Sequence, residues 1–130
     1  MENAGKISSF LGKGFELEGV LKITGTFRID GNFRGEISGE GILFVGEEAR
    51  IESDIHVSKL YNSGEIHGNV ITDEKIEISA TGKVIGSIKA PLLIMKKGGI
   101  IEGNIKINRM ENKDEMRMTA LHADKSVTSL

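Results

Sequence analysis

The chain reads as all-β, folding as a right-handed parallel β-helix of three parallel sheets and about six coils. Two observations predict this. A form of small, x, apolar, x, small, x, apolar residues recurs along the chain, and such fixed-period self-similarity marks a solenoid. Within each copy apolar and polar residues alternate, the period of two expected of short strands with one face buried. Gly64-Glu65-Ile66-His67-Gly68-Asn69-Val70 is the clearest copy. It recurs from Gly82 to Ile88, from Gly99 to Ile105 and from Gly31 to Ile37, and from Ala49 to Ile55 with Ala49 and Ser53 in the small positions. Phe15 to Leu21 is a degenerate first copy.

Taken in order, residues 1–14 read as a flexible lead-in, because disorder concentrates at termini. A short membrane anchor is the alternative, with Ile7, Phe10 and Leu11 entering a bilayer beside Lys6 and Lys13. Three apolar side chains and two cations would bind reversibly and not span. The β-helix is expected over residues 15–108, with copies starting at Phe15, Gly31, Ala49, Gly64, Gly82 and Gly99, steps of 16, 18, 15, 18 and 17 residues. Two past each start stand Leu17, Phe33, Ile51, Ile66, Val84 and Ile101. Six past stand Leu21, Ile37, Ile55, Val70, Ile88 and Ile105, and four before stand Leu11, Phe27, Val45, Leu60, Ile78 and Met95. All eighteen positions are apolar.

Glycine every few residues penalises a helix, and Gly, Ser, Asn and Asp bend a chain at low steric cost. About 17 residues at roughly 3.3 Å each give a perimeter near 56 Å, one three-sided coil. Spacing variation is expected at one corner, at Ser38–Gly41, Ser58-Lys59, Thr72–Lys75 and Ala90-Pro91. Parallel crossovers are right-handed as a rule, and the six-residue period of a left-handed β-helix fails here. A flexible tail is expected over residues 109–130, with a single capping helix as the alternative.

Composition excludes several classes. Charges nearly balance, 17 basic against 19 acidic, so no footprint for nucleic acid stands out. There is no cysteine, hence no thiolate metal site and no cysteine nucleophile. No apolar run approaches the roughly 18 residues of a membrane span, and no signal peptide is recognisable, which makes the cytoplasm the expected compartment. His56, His67 and His122 fall in different repeat positions and are expected to stay apart. A catalytic metal site on a β-helix would need converging histidines. No enzyme activity, cofactor, metal or small-molecule substrate is therefore expected.

An open rung at each end of a solenoid leaves unpaired backbone groups and an apolar layer, which natural proteins otherwise cap or blunt. Leu17, Leu21 and Ile23 at the N-terminal end, and Ile101, Ile105 and Ile107 at the C-terminal end, have no obvious cap. They are the expected polymerisation surfaces, and the expected partner is the chain itself.

Phe10-Leu11-Gly12-Lys13-Gly14, Gly19-Val20-Leu21, the stretch from Arg28 to Ile37 with its Ile29-Asp30-Gly31, and the later Gly-x-Ile copies together resemble the bactofilins, bacterial polymer-forming cytoskeletal proteins. The resemblance covers about Phe10 to Ile107. It implies a right-handed β-helix between disordered tails that polymerises without nucleotide into non-polar filaments, like ends meeting. It also implies a scaffold for cell shape, envelope-enzyme placement or motility-organelle assembly, cytoskeletal and peripheral to the inner face of the cytoplasmic membrane. The polar, acid-bearing Met1–Lys6 departs from the hydrophobic N-terminal tail by which many bactofilins attach.

Overall fold

The computed structural model describes residues 7–112, with side chains from 11 to 108. Nine strands follow in chain order: β1 (Ile7–Leu11), β2 (Glu16–Ile23), β3 (Thr26–Ile29), β4 (Asn32–Gly39), β5 (Ile42–Val45), β6 (Arg50–Asn62), β7 (Glu65–Ile78), β8 (Lys83–Met95) and β9 (Ile100–Asn112). Every pairing between them is parallel, and no helix occurs among the described residues. Leu17, Phe33, Ile51, Ile66, Val84 and Ile101 stand in register from β2 to β9. Six stacked rungs are joined by five full turns, so the chain is a parallel β-solenoid of about five turns.

Each coil has three walls. The Leu17 column lines the first. The second is lined by Leu21, Ile37, Ile55, Val70, Ile88 and Ile105. The third has two inward columns, one running Phe27, Leu43, Leu60, Ile76, Leu93 and the other Leu11, Ile29, Val45, Asn62, Ile78, Met95. Twenty-three buried residues from these columns and their neighbours form one core cluster. Each fully buried aliphatic side chain contributes roughly 1.5–3 kcal/mol, which is how a chain with so few aromatics holds together.

The corner between the first two walls is built on glycine. Gly19, Gly35, Gly68, Gly86 and Gly103 share it, with φ of 142°, 136°, 144°, 138° and 139°, a region that side chains with a Cβ rarely enter. A Cβ on Gly35, Gly68, Gly86 or Gly103 would also fall onto the carbonyl oxygen of the residue one coil earlier. This is why the second small residue recurs. Ser53 takes the place in the coil of β6, buried, its hydroxyl donating to the Asp54 carbonyl at 2.9 Å.

The third wall corrects the spacing-based register. Counting four back from each copy's start mixes two columns: Phe27 and Leu60 align with Leu43, whereas Leu11, Val45, Ile78 and Met95 align with Ile29 and Asn62. The following corner causes it. Three residues separate Ile29 from Phe33 and Asn62 from Ile66, whereas five separate Val45 from Ile51 and Ile78 from Val84. Length therefore varies at this corner as well as at the expected one, where ladder irregularities fall between Val57 and Lys59 and between Ile71 and Ile76.

The two short corners have their own chemistry. In one, Asp30 receives two hydrogen bonds from the Arg28 guanidinium, at 2.8 and 3.1 Å, and its own N–H donates to the Leu11 carbonyl at 2.7 Å. In the other, Asn62 is buried in a column whose other members from Leu11 to Met95 are apolar. Its Oδ1 accepts from the Gly64 N–H at 2.9 Å and its Nδ2 donates to the Lys83 carbonyl at 3.2 Å. Asn62→Ala strands a buried N–H. The expected loss is about 1–3 kcal/mol in urea unfolding, with the denaturant slope unchanged.

β1 takes residues 7–11 out of the expected lead-in, pairing with β3 from Ile7 opposite Thr26 to Leu11 opposite Ile29. At the other end β9 runs four residues past 108, and Met110 lies opposite Leu93. Residues 12–14 of the expected lead-in form the turn from β1 into β2, and residues 1–6 and 113–130 of the expected tails lie outside the described residues.

Candidate assembly surfaces

The strand order ends in β1 and β2 on one side and β9 on the other. Among the described residues β2 pairs only with β4, β1 only with β3 and β9 only with β8. One end therefore presents the edges of β1 and β2 to solvent and the other the edge of β9, the feature by which sheets add further strands.

At the N-terminal end three large apolar residues are exposed: Phe15 at 64%, Leu17 at 42% and Val20 at 69%. Of the three residues expected there, Leu17 alone is offered. Leu21 is partly buried against the core, and Ile23 is a core residue. A solenoid climbs about 4.8 Å per turn, so its end is a spiral step, not a flat layer. Exposure of the inward residues accordingly falls along β2, from exposed Leu17 through half-buried Leu21 to buried Ile23.

The C-terminal end differs. Ile101, Ile105 and Ile107 are all buried within the single chain, and among the described side chains of that rung the large apolar one that is exposed is Ile100, at 39%. Those three isoleucines are the floor of the core, and a partner approaching this end meets Ile100 and the open edge of β9 first.

Phe15, Val20 and Ile100 were not singled out from the sequence, although a signal for each is there. Phe15 stands where the other copies have Gly31, Ala49, Gly64, Gly82 and Gly99. Val20 points outward in a column continued by Glu36 and Asp54, and by Asn69, Ser87 and Asn104. Neighbours there bond to one another: Asn69 Nδ2 donates to Asp54 at 3.2 Å, and Ser87 Oγ to Asn69 Oδ1 at 2.6 Å. Val20 can join no such ladder. Ile100 ends an outward column that otherwise reads Glu16, Asn32, Arg50, Glu65 and Lys83. In both columns the polar run turns apolar only at the terminal rung.

The backbone of Ile7 and Phe10, two of the three residues considered for membrane contact, is held in β1, and Leu11 packs against the core. No helix among the described residues is long and apolar enough to cross a membrane.

The histidines are not brought together. His56, on the second wall, pairs with Asp73 at 3.0 Å, beside a groove of about 780 Å³ whose lining includes Lys89 and Lys106. His67, on the first wall, lies 2.6 Å from Glu65 Oε2. A carboxylate only accepts, so Nε2 carries the proton of that bond. The bond holds the Glu65 carboxyl below its usual range against an opposing effect of burial, with Arg50, His67 and Lys83 adding attraction. Because the folded form holds its proton less tightly, Glu65 adds stability above its ordinary titration range, and that stability is lost as pH falls through the lowered value. Glu65→Gln should therefore flatten the fall in Tm below about pH 4.5 in an acid series, relative to the unaltered protein. Among the described residues no group of three or more His, Asp or Glu side chains converges.

The architecture has a counterpart among known proteins. A family model described as bactofilin, polymer-forming cytoskeletal, matches residues 9–106. Bactofilin BacO of Myxococcus xanthus (strain DK1622) is 26% identical over 104 residues, which is 80% of this chain and 82% of BacO. Bactofilin BacP of the same organism is 25% identical over 83 residues, 64% of this chain but only 35% of BacP. No solved structure matches the chain. With the match running from β1 into β9 across every coil, the chain belongs to the bactofilin family of polymer-forming cytoskeletal proteins.

Proposed function

We propose that this protein self-assembles end to end, without nucleotide, into non-polar filaments in which like ends meet. The filament serves as a scaffold for cell shape, envelope-enzyme placement or motility-organelle assembly, and the protein is not an enzyme. The observation that carries this reading is the turn from polar to apolar at the two end rungs, Val20 at one and Ile100 at the other, each beside an open strand edge. Exposed Phe15 and Leu17 add to the first. At the C-terminal end the contact is made by Ile100 and the edge of β9, over the floor formed by Ile101, Ile105 and Ile107. Membership of a polymer-forming family supports the same reading.

Purified protein in buffer without nucleotide should pellet on ultracentrifugation and show filaments by negative-stain microscopy. Particles that stay monomeric at high concentration would instead favour a soluble adaptor. Contact with the inner face of the cytoplasmic membrane, through Ile7 and Phe10 of β1, is the attachment this reading expects, and flotation with anionic vesicles checks it.

A further inference from the structure

The side of the solenoid carries a surface that the two ends do not use. On the outer face of the second wall Lys22, Ser38, His56, Ile71, Lys89 and Lys106 form one column. Its last two members are exposed lysines on adjacent strands, which are spaced about 4.8 Å apart. Among the described residues neither makes an ion pair. Cations elsewhere on the solenoid meet acids: Arg34 lies 3.3 Å from Glu52, Lys59 3.7 Å from Glu74 and Lys96 3.9 Å from Glu77. Like charges stacked in register disfavour a sheet, so an acid brought to Lys89 and Lys106 relieves a repulsion already present in the fold.

The neighbouring corner turns this column into a groove. From Ile71 to Ile76 in β7 is five steps, whereas from Lys89 to Leu93 in β8 and from Lys106 to Met110 in β9 is four. The β7 corner, Thr72-Asp73-Glu74-Lys75, is therefore longer than the two that follow it. Asp73 on that corner borders the groove of about 780 Å³, with Pro91 and Asn108 of the next two coils also lining it.

Thr72 adds an independent observation. It lines the groove, is only 4% exposed, and its Oγ1 is, among the described residues, the one buried side-chain polar atom without a hydrogen-bond partner. Buried polar groups are otherwise satisfied almost without exception.

The lining selects the ligand. Two ammonium groups and a hydroxyl can all donate, and an ionised carboxylate only accepts. Ile71, 38% exposed, stands between His56 and Lys89 and offers apolar contact beside the charges. A flat anionic bilayer fits poorly, because the side chains of Asp73 and Glu74, 57% and 59% exposed, stand on the corner beside the lysines. The chain's own residues 113–130 hold three acids against three bases and so offer no excess of acid.

We propose that the groove beside the β7 corner docks an extended acidic peptide of a partner protein, with carboxylates on Lys89 and Lys106 and an adjacent apolar side chain on Ile71. This rests on the scaffold reading, for which it supplies the docking surface, and is independent of how the ends meet. A groove on the side wall recurs once per subunit along a filament, so weak single contacts gain from multivalency.

The fluorescein-labelled peptide Glu-Glu-Leu-Glu-Glu-Leu should bind the unaltered full chain in an anisotropy titration, more weakly as salt is raised. Lys89→Glu/Lys106→Glu should lower the affinity at least about tenfold, and Lys59→Glu/Lys96→Glu, the same change of charge on the third wall, by less than about twofold. Ile71→Ser should weaken binding with no change of charge. No binding to the unaltered chain, or equal losses in the two lysine variants, overturns the proposal. Phosphatidylglycerol vesicles that float the unaltered chain but not the Lys89→Glu/Lys106→Glu protein, with peptide binding the same in both, would make the face a membrane contact instead. Tighter peptide binding by the Asp114→Lys/Glu115→Lys protein would put the chain's own segment in the groove and overturn the partner. Lys89→Glu/Lys106→Glu should still pellet as filaments; loss of pelleting in that variant would place the groove in the assembly contact and overturn the proposal. Failure of the unaltered chain to assemble overturns the end-to-end reading and leaves the measured docking standing.

Discussion

The double variant Leu17→Arg/Val20→Lys should stop assembly at the dimer. Both side chains are exposed in the single chain, at 42% and 69%, so the fold tolerates the change while the end loses its apolar contact. Burying an aliphatic side chain is worth roughly 1.5–3 kcal/mol, less for one already partly covered. A two-fold contact uses each residue twice, so four cations would enter a junction where the exposed side chains they replace are apolar, and each charge would be stripped of water. Affinity at this end should fall at least about 100-fold, a change of about 2.7 kcal/mol. In a non-polar filament the C-terminal ends remain able to pair, so sedimentation equilibrium should report dimers. Monomers would mean that unlike ends meet, and the filament would then be polar.

Gly86→Ala should destabilise the folded chain by about 3 kcal/mol or more. Two causes add: a φ of 138° that alanine adopts only under strain, and a Cβ placed onto the Gly68 carbonyl oxygen of the coil beneath. Backbone gives way far less readily than the end of a side chain. Gly19→Ala separates the two causes. Its φ is 142°, but its Cβ meets nothing within 4 Å, so in the Leu17→Arg/Val20→Lys background, whose N-terminal end stays free, only the strain remains, about 1–3 kcal/mol. Chemical unfolding of both glycine variants in that background measures the difference. Equal losses would show that the carbonyl one coil below is not what selects glycine at this corner.

What can be read directly along the chain is whatever repeats. A β-solenoid stacks each residue on its counterpart one coil away, so periodic apolar positions are the core, and the first and second walls could be aligned by counting alone. Leu17 to Ile101 and Leu21 to Ile105 stack as counted. Counting failed on the third wall because two corners shorten by two residues, and a shift of two keeps the inward face. Phe27 and Leu60 stayed apolar and inward while sitting one column away. Asn62 is not legible by counting for the same reason, since its place in the core follows from a corner whose backbone groups it satisfies.

The end surfaces divide in the same way. That a stack of coils must have two unlike ends follows from the repeat, and Val20 and Ile100 can be recognised once their columns are aligned. Which inward residues those ends expose is decided by the climb of the coil. It leaves Leu17 open, carries Ile23 into the core, and the folded chain covers Ile101, Ile105 and Ile107. The sequence by itself determined the solenoid, its β alternation and its glycine corners, because these depend on neighbours a fixed number of residues away. Only the tertiary structure decided the register of the third wall and the accessible part of each end, because these depend on corner length and on the rise of the chain through each turn.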